Sequence, residues 1–423
     1  VTPPGIVAAY GAQDPNAPPG QTYAQTLAKG GVNINDYISN GHNRKAYTNE
    51  FQPRLGFAVD INGDQQHVVF GGYGRSYDRD LYDYLQVEVT KSALPEYTVN
   101  FPNAGAVPPA HTNGCFGSPC VAWNPNYLNG LSNLQALVAS SNAGQEIDAV
   151  NKNLKVPYSD QFSVGIRNKL GDWNTSATVA RILSKDGFVF TLGNRYPNGA
   201  FWANGGQPWG NGVPGFGSLI IGNNGIETKT TQLLLSADKP FTQESHWGAT
   251  FAYTYTDSSA NRDTTQHYAF DEQTIRQYPF VNSNAAARHR IVTTGSYGAP
   301  WGFIIGAKLT LATPTPVNDL ACIGPAQPYP TGSNCTPIAA TPKNFFGYRS
   351  LDLQVTKNFD IGHYGSVYVR LDGLNIINWH NYADTLNTWG TNGVANPNPV
   401  VYNYVGNING VPRELKLSVG AKF

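Results

Sequence analysis

Apolar and polar residues alternate with a period of two in segments of about ten residues along most of the chain. In Arg413–Phe423, the apolar side chains Leu415, Leu417 and Val419 share one face. The alternate residues share the other face: Glu414, Lys416, Ser418, Gly420 and Lys422. Such segments predict strands with one apolar face, because successive side chains of a strand point to opposite faces. The eleven predicted strands are Tyr47–Ile61, Gln66–Tyr77, Ser159–Leu170, Trp173–Leu183, Thr228–Lys239, His246–Asp257, His289–Gly298, Gly302–Ala312, Tyr348–Phe359, Ser366–Ile377 and Arg413–Phe423.

The connections between these strands alternate between short and long. The short ones are Asn62–Gln65, Gly171–Asp172, Pro240–Glu244, Ala299–Trp301 and Asp360–Gly365. The long ones, rich in Gly, Asn and Pro, are Asp78–Tyr158, Gly193–Glu227, Ser258–Arg288, Thr313–Gly347 and Asn378–Pro412. Outer-membrane barrels combine short periplasmic turns with long external loops. The pattern therefore predicts an all-β protein, a transmembrane antiparallel β-barrel with its long connections outside.

Composition agrees with a barrel. Charged residues are 13% of the chain, against about 25% in soluble proteins. Lys plus Arg and Asp plus Glu each number 28, so no basic field exists for a nucleic-acid partner. No run approaches the roughly 20 apolar residues of a membrane-spanning helix, so a closed sheet is the way left to cross a bilayer.

The number of strands predicts an incomplete barrel. Single-chain bacterial barrels have an even number of strands, and an open sheet would leave unpaired backbone groups in lipid. Plugged transporters have about 22 strands. We therefore expect residues 1–423 to be the C-terminal part of one barrel domain, with residues 1–46 an external loop, residues 47–423 the strands and their connections, and the plug domain absent from this chain. The start at Val1 without Met also suggests a processed product or a fragment.

Several motifs resemble one known family. Pro53–Asp60 and Val68–Arg75 resemble a hairpin of TonB-dependent outer-membrane receptors and transporters, and Leu351–Phe359 is similar to one of their late strands. Arg288–Val292 and the Pro300–Gly302 turn are also similar to late segments of that family. Gly373–Tyr382 resembles the penultimate strand with its Asn-rich loop, and the terminal Phe423 matches the assembly signal of such barrels. Within the family the similarity is greatest to the Oar-like branch.

The resemblance implies a location in the bacterial outer membrane and import of a bulky nutrient captured by external loops. It also implies four partners: outer-membrane lipid, the barrel assembly machinery, TonB through an upstream plug, and a surface or lipoprotein partner. Two alternatives stay open, a non-transporting surface, adhesion or assembly component on the same barrel, and a passive porin. No GxSxG, P-loop or HExxH motif occurs, so no enzyme activity, cofactor or metal is expected.

The four cysteines form two local pairs, Cys115 with Cys120 and Cys322 with Cys335, each in a Gly, Pro and Asn-rich stretch. This pattern predicts two disulfides in an oxidising compartment. A zinc site fits less well because neither pair has the two-residue spacing of a zinc motif. Free thiols remain an alternative.

Two stretches of the external connections are candidate ligand sites. The first combines aromatic rings, which stack on flat ligands, with amides, which orient them: Phe201, Trp202, Asn204, Gln207 and Trp209. Its alternative is packing between loops. The second is acidic, at the outer end of a strand rich in Tyr: Asp78, Asp80 and Asp83. Its alternative is a solvated rim beside an aromatic girdle.

The alternation also predicts which side chains contact lipid. The predicted lipid belt includes Phe251, Tyr253, Val367, Val369, Leu371, Leu417 and Val419. Arg370, Asp372 and Lys416 should face the lumen, because a Lys or Arg on the lipid face costs about 2–4 kcal/mol at the bilayer midplane.

Overall fold

The computed structural model describes the chain except for residues 1, 3–4, 45, 79–80, 98, 103–119, 142–143, 197–211, 263–266, 323–334, 392–393 and 423. Its strands are β1 (Arg54–Asp60), β2 (His67–Tyr77), β3 (Gln145–Val150), β4 (Tyr158–Leu170), β5 (Trp173–Leu192), β6 (Phe216–Lys239), β7 (Trp247–Ala260), β8 (Val281–Asn282), β9 (His289–Ala299), β10 (Phe303–Ala312), β11 (Val317–Cys322), β12 (Cys335–Ala340), β13 (Tyr348–Asp360), β14 (Ser366–Leu374), β15 (Thr385–Asn387), β16 (Gly390–Thr391), β17 (Val394–Ala395), β18 (Val400–Tyr402) and β19 (Glu414–Lys422). The α-helices are α1 (Ile6–Gly11), α2 (Tyr23–Lys29), α3 (Leu81–Ala93) and α4 (Leu131–Ser141).

Eleven strands form one continuous path in the order β1-β2-β4-β5-β6-β7-β9-β10-β13-β14-β19. Every neighbouring pair on this path is antiparallel, and each strand corresponds to one of the predicted segments. The sheet ends at β1 and β19, which are not paired with each other among the described residues. Within the described part of the chain, no helix combines the length and apolarity needed to cross a membrane.

The register separates two faces of this sheet. We call the side carrying Leu371 and Leu417, which are direct cross-strand partners, the apolar face. Asp372 and Lys416 are partners on the opposite, polar face. One row of the apolar face crosses eight strands through Val59, Val69, Ile166, Ala177, Leu235, Tyr253, Ile291 and Leu311. The predicted alternation of the two sets of side chains is confirmed, and lipid contact by the apolar face stays a prediction.

Several strand bounds differ from the sequence prediction. The first strand begins at Arg54, not Tyr47, because Pro53 has no N–H to donate to a ladder. The strand β5 continues past its predicted end at Leu183 to Leu192, and β6 begins at Phe216, inside the segment Gly193–Glu227 predicted as a long loop. In residues 188–192 and 217–222 of these extensions the side chains of both faces are buried, including Val189 and Phe190, so the sequence there does not alternate between apolar and polar residues.

The long connections contain further elements. The first holds α3, α4 and β3, which pairs in parallel with the extension of β6. The fourth holds the β11–β12 hairpin, and the fifth holds the short pairs β15–β18 and β16–β17.

The segment predicted as an external loop, residues 1–46, contains α1 and α2. Thr22 caps α2 through a capping box with Gln25. Ile6 and Leu27 are buried in one core with Leu219 of β6. The segment is therefore packed onto the extended part of the sheet, and its external position stays a prediction.

Asn375 shapes the start of the last long connection, within the Asn-rich motif. Its side chain is 2% exposed, and its amide donates to the carbonyls of Trp379 (2.9 Å) and Val411 (3.1 Å). Its side-chain oxygen accepts from the N–H of Trp379 at 3.0 Å. Its φ is 44°, a left-handed conformation that Asn tolerates better than most residues. Asn375 therefore holds the two ends of the last long connection together.

Candidate ligand site at the outer end of the polar face

A cavity of about 390 Å³ lies where β2 and β4 meet the first long connection, beside residues 184–188 of β5 and 226–228 of β6. We call it the rim pocket. Its floor is a row of hydroxyls in direct register across four strands: Ser76, Ser159, Ser184 and Thr228. Ser159 Oγ and Ser184 Oγ are 2.7 Å apart. These four residues belong to the polar face. Along each strand they lie an even number of residues from other polar-face positions, and alternate side chains of a strand point to the same face.

Aromatic rings cover one side of the rim pocket. Tyr84 of α3 stacks on Phe188 of β5, with ring centroids 3.8 Å apart. The Tyr84 hydroxyl lies 2.7 Å from Nε2 of His267, which follows β7 in the third long connection. The backbone beside His267 is tied to β5, because Phe190 donates its N–H to the His267 carbonyl at 2.6 Å. Three separate parts of the chain therefore build this wall.

Two charged side chains also line the pocket. Asp78, at the end of β2, and Lys185 of β5 supply one carboxylate and one ammonium group. Hydroxyls and aromatic rings together bind polar ligands that have flat apolar faces. The described residues contain no cluster of three or more His, Cys, Asp or Glu that could hold a metal ion. With one carboxylate and one ammonium group beside hydroxyls and rings, the lining of the pocket suits a neutral or zwitterionic unit.

The helix α3, which presents Tyr84, is anchored at its far end. Lys91 Nζ lies 3.0 Å from a carboxylate oxygen of Glu146 on β3 and also pairs with Glu96. Gln145 Nε2 donates to the Lys91 carbonyl at 3.2 Å. Tyr84, Leu85 and Val87 pack against a buried apolar cluster of β3, β5 and β6. The position of Tyr84 therefore depends on contacts of α3 with β3.

Asp148 is a buried acid in this anchor. Its side chain is 5% exposed, and its Oδ2 has no hydrogen-bond partner among the described residues. Burial raises the pKa of Asp148 to about 7, the negative charge of Glu146 adds to the shift, and Lys91 opposes it. Burial also raises the pKa of Glu88, although its partner Arg44 opposes that shift. At neutral pH the anchor therefore holds carboxyls that are costly to ionise.

An ion pair lies on the apolar face close to the rim pocket. Arg75 Nε and Nη2 each donate to Asp160, both at 2.8 Å, in a bidentate arrangement. The Tyr73 hydroxyl donates to the same carboxylate at 2.7 Å. The Arg75 guanidinium lies 4.3 Å from the ring centroid of Tyr158, which lines the pocket. This arrangement fixes the outer ends of β2 and β4 together.

Some of the predicted site residues that the structure describes line the rim pocket, and others do not. Asp78 lines the rim pocket, whereas Asp83 is exposed in the first turn of α3 and is not among the lining residues. Cys120 forms an isolated backbone bridge with Asn100, and Cys322 is the backbone partner of Cys335. The remaining predicted residues lie outside the described part of the chain: Asp80, Cys115, Phe201, Trp202, Asn204, Gln207, Trp209 and Phe423.

Sequence reasoning missed most of the pocket. A signal was available in the hydroxyls, since Ser159 and Thr228 begin predicted strands and Ser184 directly follows another. Tyr84 and His267 carried no such signal, because they lie in long connections and meet only in the folded chain.

Solved structures of similar fold are outer-membrane transporters and receptors. The outer membrane transporter YddB from Escherichia coli has a TM-score of 0.54 and 14% identity, covering 88% of this chain and 40% of that one. The pyoverdine outer membrane receptor FpvA from Pseudomonas aeruginosa PAO1 has a TM-score of 0.44 and 12% identity, covering 88% of this chain and 36% of the receptor. The chain thus spans less than half the length of either. No curated protein matches the sequence.

The family comparison covers more than half of the chain. The model of the outer membrane beta barrel domain family matches residues 7–308. These residues include β1 to β9 and most of β10. The location in the bacterial outer membrane that the sequence predicted is confirmed. The chain belongs to the outer membrane beta barrel domain family.

Proposed function

We propose that this chain is part of a TonB-dependent transporter of the Oar-like branch, which imports a bulky nutrient across the outer membrane. The observation that carries the proposal is the rim pocket at the outer end of the polar face. With the polar face lining the lumen and the long connections outside, the pocket lies at the external mouth of the barrel. A ligand entering from outside meets it first.

The size and chemistry of the pocket suit one unit of a larger ligand. Its volume of about 390 Å³ is in the range of small-molecule sites, roughly 300–1,000 Å³. The Tyr84 and Phe188 rings offer apolar faces, and the Ser159–Ser184 row offers hydroxyls. The rest of the ligand would contact the external connections, including Asp78, Asp83 and the aromatic stretch Phe201–Trp209.

The wider assembly follows from the same proposal. An upstream plug would close the lumen and contact TonB, and further strands would complete the wall between β1 and β19. The terminal Phe423 would serve recognition by the barrel assembly machinery. Disulfides would restrain the first and fourth connections, and a surface or lipoprotein partner would lie outside.

The test is uptake by the full-length protein in its native host. We expect uptake of the nutrient to stop when TonB is deleted and to fall in Tyr84→Ala at an unchanged surface level of the protein. Uptake that is independent of TonB would contradict active transport. Liposomes containing the full-length protein should not swell in small sugars, and swelling would indicate a passive porin. A protein that binds its ligand but never imports it would be a surface component.

A further inference from the structure

A groove of about 480 Å³ lies on the apolar face of β1, β2, β4 and β5, separate from the rim pocket. Two rows of side chains line it. In the outer row, Leu55, Tyr73, Phe162 and Arg181 are consecutive cross-strand partners. In the inner row, Phe57, Val164 and Val179 line the groove, and Gly71 is the cross-strand partner of both Phe57 and Val164. Gly71 has no side chain, and the Phe57 ring lies over it, so that Phe57 forms one wall of the groove.

The apolar side chains of the groove are well exposed. Phe57 is 54% exposed, Val164 52% and Val179 48%. In water this surface would be costly, at about 25 cal/mol for each Å² of apolar area. In a membrane the same surface is a site for hydrocarbon, and the groove gives it room for one chain.

Arg181 is the one cation that lines the groove. Its guanidinium donates to the Thr231 hydroxyl, and among the described residues no carboxylate forms an ion pair with it. Arg75, on the same face, has its charge matched by Asp160. An exposed Arg without a carboxylate on an otherwise apolar surface indicates an anion supplied from outside the chain.

The depth of Arg181 agrees with the level of lipid phosphates. It lies eight residues along β5 from Trp173, about 26 Å at 3.3 Å per residue. For a strand tilted by about 40°, this corresponds to a height of roughly 20 Å within an apolar band of about 25 Å. Trp173 contacts Trp247, a pair suited to the inner interface. Arg181 therefore lies near the outer headgroups, and the groove runs inward from it.

We propose that this groove binds an outer-leaflet lipid, with its phosphate on Arg181 and one acyl chain along Phe57, Val164 and Val179. The planar guanidinium matches two phosphate oxygens at once, which an ammonium group does not. The proposal rests on the orientation given above, with the long connections outside, and it is independent of what the transporter carries. A failure of uptake would leave it unaffected.

The test uses the full-length protein purified in detergent and mixed with micelles of phosphatidylglycerol, with bound lipid counted by native mass spectrometry. We expect Arg181→Gln to lower lipid occupancy about tenfold. Val164→Trp should lower it similarly, because the indole fills the groove while Arg181 is intact. Arg167→Gln is the matched control, since Arg167 is an exposed Arg of the polar face on the neighbouring strand β4. Heat-dependent gel mobility checks that each variant is folded.

Two further measurements separate the source of the anion. Inorganic phosphate at millimolar concentration should not displace the lipid, whereas displacement would indicate a free-anion site and overturn the proposal. Monoacylglycerol, which has no phosphate, should bind weakly. Equal occupancy by monoacylglycerol and phosphatidylglycerol, or equal occupancy in Arg181→Gln and the unmodified protein, would also overturn it.

Discussion

The Tyr84 hydroxyl lies 2.7 Å from Nε2 of His267, although 183 residues separate them in the chain. This contact joins α3, in the first long connection, to the third long connection directly beside the rim pocket. Tyr84 also stacks on Phe188 of β5, so this one side chain of the first long connection contacts both the third long connection and the main sheet.

Replacement of Tyr84 separates the contributions of its ring and its hydroxyl. We expect Tyr84→Ala to weaken ligand binding about tenfold, since an aromatic contact contributes about 0.5–1.5 kcal/mol beyond its buried area. Tyr84→Phe should retain more than half of the binding energy, because stacking on Phe188 survives. The measurement is ligand affinity of the full-length protein, with the exposed Tyr97→Ala as the control. Equal affinities of Tyr84→Ala and the control would contradict the assignment of the pocket.

Asp148 makes the anchor of α3 sensitive to pH. Its folded pKa of about 7 exceeds its ordinary value of 3.8, so the folded state holds the proton more tightly. Stability contributed by this region is therefore highest below about pH 4, falls as the pH rises toward 7, and stays reduced above it. Asp148→Asn should remove most of this dependence, and the remainder would come from Glu88, whose pKa burial also raises. Hydrogen exchange at Gln145–Val150 should then differ less between pH 5 and pH 8 than in the unmodified protein, after correction for intrinsic rates. An unchanged pH dependence in the variant would show that Asp148 is not the group responsible.

The Arg75–Asp160 pair should contribute to barrel stability chiefly as a pair. Asp160→Asn leaves the Arg75 charge without its bidentate partner. Because the Arg75 side chain is 29% exposed and that of Asp160 13%, the loss of unfolding free energy should be smaller than the roughly 3–5 kcal/mol of a fully buried pair. The double variant Arg75→Gln with Asp160→Asn should recover part of this loss, because no uncompensated charge remains. Urea unfolding in detergent measures both. A double variant less stable than the single one would argue against the explanation.

Asn375 should control the order of the last long connection. Asn375→Ala removes three partly buried hydrogen bonds to the backbone, a loss of about 2–3 kcal/mol. We expect proteolysis within residues 378–412 to accelerate at least tenfold. Asn398→Ala, an exposed residue of the same connection, should cleave at the rate of the unmodified protein. A similar rate in both variants would contradict the role of Asn375.

The pairing of Cys322 with Cys335 remains a prediction that the backbone register favours, since the two residues are opposite each other at the ends of β11 and β12. A disulfide closing a loop of about this length stabilises by roughly 3 kcal/mol. Mass spectrometry of a non-reduced digest should recover the Cys322–Cys335 and Cys115–Cys120 peptides. Peptides that cross-link the two connections would contradict the pairing.

The eleven strands of the main sheet can be predicted from the sequence because each has one apolar and one polar face. For example, Leu371 and Asp372 can be assigned to opposite faces from their residue types alone. Alternation does not detect the extensions of β5 and β6, because the successive residues Val189 and Phe190 are both buried and apolar. Tyr84 and His267 could not be paired from the sequence, since contacts between long connections depend on the whole fold.

The 24 residues of β6 are more than twice the 9–11 that a strand needs to cross a bilayer. The half of β6 that begins at Phe216 continues as hydrogen-bonded sheet with β5 and β3. With the long connections outside, as proposed, the water-facing part of the protein would begin as an ordered wall. Immune recognition of this part should therefore depend on shape. Antibodies raised against linear peptides from Phe216–Ile226 should fail to bind intact cells, whereas antibodies raised against the folded protein should bind them.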